Sequence, residues 1–346
     1  MKSGTVARTH GSRIAGVVSC VPPRTIDNDY FAERFGDKVA DVVKMTGVKT
    51  RHWVENGVTT SDLCARAAET LFERLDWDRT SVDAVIFVSQ TPDYRLPATA
   101  CLLQDRLGLR PGVIGIDVSL GCSGYVHALW LASMMIETGA AKRILLAVGD
   151  TSSIMNDPND RSTALLFGDA GTATAVEAAE GTAEATFILG TDGSGGESLI
   201  VPKGGFRSCA GHPKFADFPS DILYMDGGEV FNFTLKAVPT LITETIMASD
   251  VAPEEYDLFL LHQANTFMIK HLAKKAKLPA DKVPINIDRF GNTSSATLPL
   301  LMTDLAAETL KERRCRIGLF GFGVGWSWGG ASLEVGPLKC AETVIL

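Results

Sequence analysis

The chain follows one pattern twice, and that repetition constrains its fold more than any other feature. An apolar run bounded by Asp83 and Gln90 returns as a run bounded by Asp257 and Gln263. The segment 116–123, ending in Gly121-Cys122-Ser123, is echoed by 287–294, ending in Asn292-Thr293-Ser294. The run 143–149, from Arg143 to Gly149, is echoed by 316–321, from Arg316 to Gly321. Each half reads strand, helix, strand, elbow, helix, strand, so an internal duplication is expected. Alternating strands and helices imply parallel sheets under helical cover. The expected fold class is α/β, with halves 1–180 and 181–346 packed as α-β-α-β-α layers about a pseudo-two-fold axis. A length of 346 residues allows this.

Periodicity places helices at 29–45, 62–75, 97–107, 123–138, 226–249 and 265–277, with strands at 14–21, 83–90, 115–118 and 144–148. Ser61 or Asp62 can cap the second of these helices. The acidic, alanine-rich stretch 177–184 is a candidate link between halves. The Gly, Ser and Pro-rich stretch 190–218 is a long loop of the kind that covers a site.

The elbow of the first half holds Cys122 between Gly121 and Gly124. Those glycines permit a tight turn and the close approach of another backbone. A thiol at a helix N-terminus feels the positive end of the dipole, so a thiolate nucleophile is expected there. A small buried cysteine beside a turn fits the same residues. Ligands of α/β sheets bind beyond the carboxyl ends of strands, where the duplication also puts His262 and Asn292.

A thiolate attacks a thioester carbonyl to give an acyl-enzyme. An imidazole Nε2–H and a carboxamide can donate to one oxygen and stabilise the enolate left when a malonyl group loses carbon dioxide. A second oxyanion hole could use the main-chain N–H of Cys122 and the glycine-rich turn 321–325. Taken singly, His262 also reads as a hydrogen-bonded structural histidine. Asn292 also reads as a turn residue tolerating left-handed φ.

Composition narrows the partners. A net charge of −8 makes nucleic acid an unsuitable ligand. Seven cysteines without CxxC spacing argue against a disulfide framework or a metal site and suit a reducing cytoplasm. No apolar run of about 18 residues is present, so no membrane span is expected. Residues 1–13 carry no apolar signal core.

Four motifs together, Gly121-Cys122-Ser123-Gly124, His262-Gln263-Ala264-Asn265, the Gly-Asn-Thr-Ser-Ser-Ala run at 291–296 and the glycine-rich turn 321–329, resemble the β-ketoacyl-acyl carrier protein (ACP) synthase III family of the thiolase-like superfamily. The resemblance runs over residues 14–335. It implies a homodimeric condensing enzyme. An acyl group from acyl-CoA or acyl-ACP is loaded on Cys122 and condensed with malonyl-ACP or malonyl-CoA to a β-ketoacyl product. It implies His262 and Asn292 as decarboxylation helpers. It also implies a Val324 N–H in the oxyanion hole, where the family usually has glycine. No bound cofactor is implied, because the substrates carry CoA or phosphopantetheine. Arg161, Asn265 and Gly227 are the implied pantetheine and CoA contacts. Leu96 takes the place of an aromatic residue that bounds the acyl pocket across the dimer. An acidic carrier protein would dock on Lys270, Lys274 and Lys275, although Phe267 replaces the family's docking arginine.

Asp41 and Met45 replace the family's tryptophan and arginine before Thr46-Gly47. With Leu96, they point away from acetyl-CoA priming, toward acyl-ACP or longer acyl donors and specialised metabolism. Degradative thiolases need a cysteine in the 321–325 turn, which is absent. Plant-type polyketide synthases lack the His-Gln-Ala-Asn run. Two alternatives remain: an acyltransferase delivering the Cys122 acyl group to oxygen or nitrogen, and a non-catalytic partner subunit of a heterodimer.

Overall fold

The computed structural model describes residues 3–207, 213–219 and 221–346. Cys209 and part of the expected 190–218 loop lie outside the described residues.

Two sheets hold eleven strands: β1 (Thr5–Thr9), β2 (Ser12–Val21), β3 (Ala84–Val88), β4 (Ile114–Val118), β5 (Arg143–Thr151), β6 (Asp169–Ala178), β7 (Ala185–Thr191), β8 (Leu258–Leu261), β9 (Cys315–Gly323), β10 (Ser327–Val335) and β11 (Cys340–Ile345). The first sheet runs β11-β2-β6-β5-β3-β4 and the second β1-β7-β10-β9-β8. β5 pairs parallel with β3 and antiparallel with β6. β9 likewise pairs parallel with β8 and antiparallel with β10. This is the duplication in space, with β3 and β5 matched by β8 and β9. Each half lends its outermost strand to the other: β1 pairs with β7, and β11 pairs with β2.

Layering follows from strand alternation, which sends successive side chains to opposite faces. Ile86 and Val88 of β3 face the core between the sheets, while Val85 and Phe87 face outward. The outward set packs on helix α1 (Thr60–Leu75). Between the sheets lie α2 (Gly124–Glu137) and α5 (Thr297–Thr303), whose Leu129, Leu298 and Leu301 are buried. The outer face of the second sheet is covered by α3 (Gly227–Ala248) and α4 (Thr266–Lys275). The α-β-α-β-α sandwich expected from the sequence is what forms.

Local chemistry sets the ends. α1 opens on a capping box in which Thr59 and Asp62 satisfy each other's main-chain N–H groups. Asp62 is thus the N3 partner rather than the cap, and Thr59 is the cap.

One expected echo departs from the pattern. Residues 287–290, matched in sequence to β4, form a short helix, Ile287–Phe290. Pro284 cannot donate to a ladder. Asn286 donates its main-chain N–H to Gln263 Oε1 (3.0 Å), Arg289 pairs with Asp304, and Lys49 N–H donates to the Asp288 carbonyl (2.8 Å). These contacts turn the chain out of register with β8, and among the described residues the second sheet has no counterpart of β4.

Candidate active site

Cys122 sits in the turn between β4 and α2 and is 7% exposed. Packing there leaves no room for side chains on the neighbouring glycines. A β-carbon at Gly124 would lie 2.5 Å from Val88 Cγ1, and one at Gly321 would lie 2.7 Å from the Cys122 carbonyl oxygen. The end of β9 is thereby pressed against the elbow. The main-chain N–H groups of Cys122 and Val324 favour the charged form of the sulfur.

Burial pushes the Cys122 thiol up to about 12, against the hydrogen bonds from Ser294 and those two N–H groups. The expectation of a resting thiolate is therefore corrected. Desolvation of the buried sulfur outweighs the dipole at the start of α2, and the resting group is the neutral thiol.

His262 follows directly on β8, where its N–H donates to the Phe320 carbonyl (2.8 Å). It is 2% exposed, and burial lowers its pKa to about 3, so the ring is neutral. Its Nδ1 lies 2.7 Å from the Thr297 hydroxyl, which also lies 3.0 Å from the Ser294 carbonyl. That hydroxyl has one proton. Donated to Nδ1, it leaves Nε2 carrying the ring proton; donated to Ser294, it leaves Nε2 a bare acceptor.

Asn292 is held by a bridge to Phe167: its N–H donates to the Leu166 carbonyl, and its carbonyl accepts from Gly168. Its side-chain Oδ1 accepts from Ser294 N–H (2.9 Å). With the oxygen so used, the Nδ2 amide is the end left for a ligand. Ser294, at φ 51°, brings its hydroxyl within 3.9 Å of the Cys122 sulfur.

Cys122, His262 and Asn292 line one cavity of about 920 Å³. Arg161, Gly227 and Asn265 line it as well, as do Asp41 and Met45. Arg161 is exposed, at the start of a short helix, and Gly227 opens α3 with free space where a side chain would go. Asn265 also caps α4, its Oδ1 accepting from Met268 N–H (2.7 Å). A second cavity, of about 350 Å³, meets the first at Cys122 and is bordered by Val324 and Ser294. Leu96 lines neither; it is 78% exposed.

Lys270, Lys274 and Lys275 are all exposed on α4, and Lys275 Nζ donates to the Leu235 carbonyl of α3. Among the described residues no group of three His, Cys, Asp or Glu side chains is placed to hold a metal ion. No helix among the described residues is long and apolar enough to cross a membrane.

Sequence reasoning missed Thr297, Ser294 as a partner of the sulfur, and Asp150. The Asp150 carboxylate, 1% exposed, accepts from Gln90 N–H (2.7 Å) and from Ser295 N–H and Oγ (3.1 and 2.6 Å). It thus ties the end of β5 to the second elbow. An acidic residue closing the apolar run 143–149 was the available signal.

Comparison with known proteins agrees with this geometry. The model for 3-oxoacyl-[acyl-carrier-protein (ACP)] synthase III matches residues 116–193, and that for the C-terminal part of the same protein matches 246–335. A crystal structure of a 3-oxoacyl-(acyl-carrier protein) synthase from Burkholderia xenovorans LB400 is 55% identical, covers 99% of both chains and superposes with a TM-score of 0.97. The β-ketoacyl-[acyl-carrier-protein] synthase III of Xanthomonas axonopodis pv. citri is 35% identical over 93% of this chain and 98% of its own. That of Koribacter versatilis is 32% identical over 93% and 97%. With both family segments matched and relatives 32% to 55% identical over more than nine-tenths of their lengths, the chain belongs to the 3-oxoacyl-ACP synthase III family of thiolase-like acyltransferases.

Proposed function

We propose that Cys122 is the acyl carrier of this condensing enzyme and that His262 and Asn292 serve the decarboxylation. In the first half-reaction the Cys122 sulfur forms a bond to the donor's carbonyl carbon. The donor's C–S bond breaks, and the donor thiol leaves with the proton. In the second, a malonyl thioester loses carbon dioxide and its enolate carbon attacks the acyl carbonyl. The Cys122 C–S bond then breaks, and the sulfur regains a proton.

The observation that carries this reading is the convergence of the three side chains on one cavity, with the Asn292 amide free to donate. Neutral His262 suits a donor role, which requires Thr297 to give its proton to Nδ1. The N–H groups of Cys122 and Val324 are the proposed oxyanion hole for the acyl carbonyl, supported by their favourable influence on the sulfur that bears it.

The larger cavity is the proposed pantetheine channel, with Arg161, Gly227 and Asn265 along it. No bound cofactor takes part, since the substrates bring the CoA or phosphopantetheine arm. Asp41, which lines the same channel as Arg161, adds a negative charge that disfavours a nucleotide phosphate and so favours a carrier-protein donor. An acidic ACP docks on Lys270, Lys274 and Lys275 beside the channel.

A homodimer is supported by β4. It is one of the two edges of its sheet, with Ile114 exposed. Asp117 of β4 accepts from Thr99 N–H (2.7 Å), so the helix after Leu96 is fixed to that edge. Leu96 then reaches the acyl pocket of a second copy. In this scheme 1–180 is the half that supplies the nucleophile, and 181–346 supplies the imidazole and carboxamide. Intact-mass analysis after incubation with acyl thioesters tests the loading step. An adduct is expected on the wild-type chain and absent from C122A; adducts of equal yield on both would overturn it.

A further inference from the structure

The second cavity has a wall that the loading chemistry alone does not explain. It collects the carboxyl ends of three adjacent strands: Asp150 and Ser152 from β5, Gln90 from β3 and Ser119 from β4. The remaining lining includes apolar Met155, Leu199, Ile200, Val201 and Leu223.

The polar groups differ in what they have left to offer. Both Asp150 oxygens are taken, one by Gln90 N–H and the Ser89 hydroxyl, the other by Ser295. The Ser152 side chain is 3% exposed, yet its hydroxyl makes no hydrogen bond among the described residues. The Gln90 carboxamide and the Ser119 hydroxyl, both on exposed residues, are also without a hydrogen bond among the described residues.

A saturated alkyl chain in this space would strip the water from exposed Gln90 and Ser119, leave the buried Ser152 hydroxyl unpartnered, and return nothing. A ligand oxygen would satisfy them. Burial pushes the Asp150 carboxyl toward its neutral form and its oxygens are already engaged, so it offers nothing to an ammonium, while no cationic side chain among the described residues lines the cavity to balance an acid; the complementary group is a neutral oxygen. At about 350 Å³ the space lies at the small end of ligand pockets, which suits a short acyl chain.

We propose that this cavity receives the acyl group borne by Cys122 and selects chains carrying a neutral hydroxyl or carbonyl oxygen, bound by Ser152 and Gln90. The inference rests on the reading of Cys122 as the acyl carrier. The oxygen sits on the polar wall formed by the ends of β3, β4 and β5, and the hydrocarbon part lies against Leu199 and Leu223. Gln90 both donates and accepts through its amide, and Ser152 does so through its hydroxyl, so either oxygen function is recognised.

The test is pairwise competition for Cys122 between hexanoyl N-acetylcysteamine and its 3-hydroxy, 4-hydroxy and 5-oxo analogues, read by intact mass. At least one oxygenated chain is expected to load about tenfold faster than hexanoyl, and S152A or Q90L to cut that ratio by about fivefold to tenfold, the worth of one neutral hydrogen bond. Hexanoyl loading as fast as every oxygenated analogue overturns the selectivity and leaves Cys122 as acyl carrier. So does a ratio that neither variant moves. Failure of all four thioesters to form any adduct overturns the role of Cys122 itself, and the selectivity with it.

Discussion

At the residue scale, the account turns on a sulfur and an imidazole that are both neutral at rest. A thiol held near 12 gains thiolate about tenfold per pH unit far beyond the range where an ordinary cysteine saturates. Iodoacetamide alkylation of Cys122 should therefore climb steadily from pH 7 to 10; a plateau near pH 9 would contradict the burial argument. His262, with its pKa lowered to about 3, stays uncharged from pH 5 to 8. Malonyl decarboxylation should show no inflection from it in that window.

Thr297 decides which ring nitrogen holds the proton. T297V leaves Nδ1 to donate to the Ser294 carbonyl and strips Nε2 of its hydrogen. Carbon dioxide release should fall by about 10- to 100-fold, more than Cys122 acylation falls. Equal losses in both steps would point to simple disruption of the site. The sulfur, imidazole and carboxamide were legible in the sequence because each closes a recognisable strand or elbow. Thr297 and Asp150 were not, because their importance lies in contacts made far along the chain: Thr297 meets the ring after β8, and Asp150 of the first half meets Ser295 of the second.

At the scale of elements, the glycine-rich end of β9 is fixed by the elbow it presses on. G321A puts a methyl 2.7 Å from the Cys122 carbonyl oxygen, a backbone atom that cannot swing aside. A loss of about 1–3 kcal/mol, read as a lowered Tm, is expected. On α4 the exposed lysines make a different prediction. Reversing Lys270 and Lys274 to glutamate should raise KM severalfold for ACP-borne substrates and spare N-acetylcysteamine thioesters. An unchanged KM for the ACP substrate would remove the docking surface.

Helices with clear apolar stripes, such as Thr60–Leu75, were legible from periodicity alone. The segment Ile287–Phe290 was not, because its echo of β4 is overridden by Pro284 and by contacts of Asn286 and Arg289 that only the folded chain assembles.

At the scale of the molecule, the duplication was legible in the sequence, but the exchange of outer strands was not. β1 and β11 lie at opposite ends of the chain, and nothing local says that each joins the sheet of the other half. That exchange binds the halves together and fixes the relation between Cys122 on one and His262 and Asn292 on the other. The exposed apolar edge at β4 carries the expectation of a dimer. Light scattering should give about twice the 37.0 kDa chain mass, and a monomer at micromolar concentration would leave Leu96 without its proposed pocket.

The central claim, that the three groups act together on a malonyl thioester, meets its most direct test in one assay. Enzyme pre-acylated on Cys122 is mixed with malonyl-ACP, and carbon dioxide and β-ketoacyl-ACP are counted together. The account predicts one of each per acyl group consumed, with both lost in N292A by about 10²- to 10³-fold. Transfer of the acyl group without carbon dioxide release, or full activity in N292A, would contradict it.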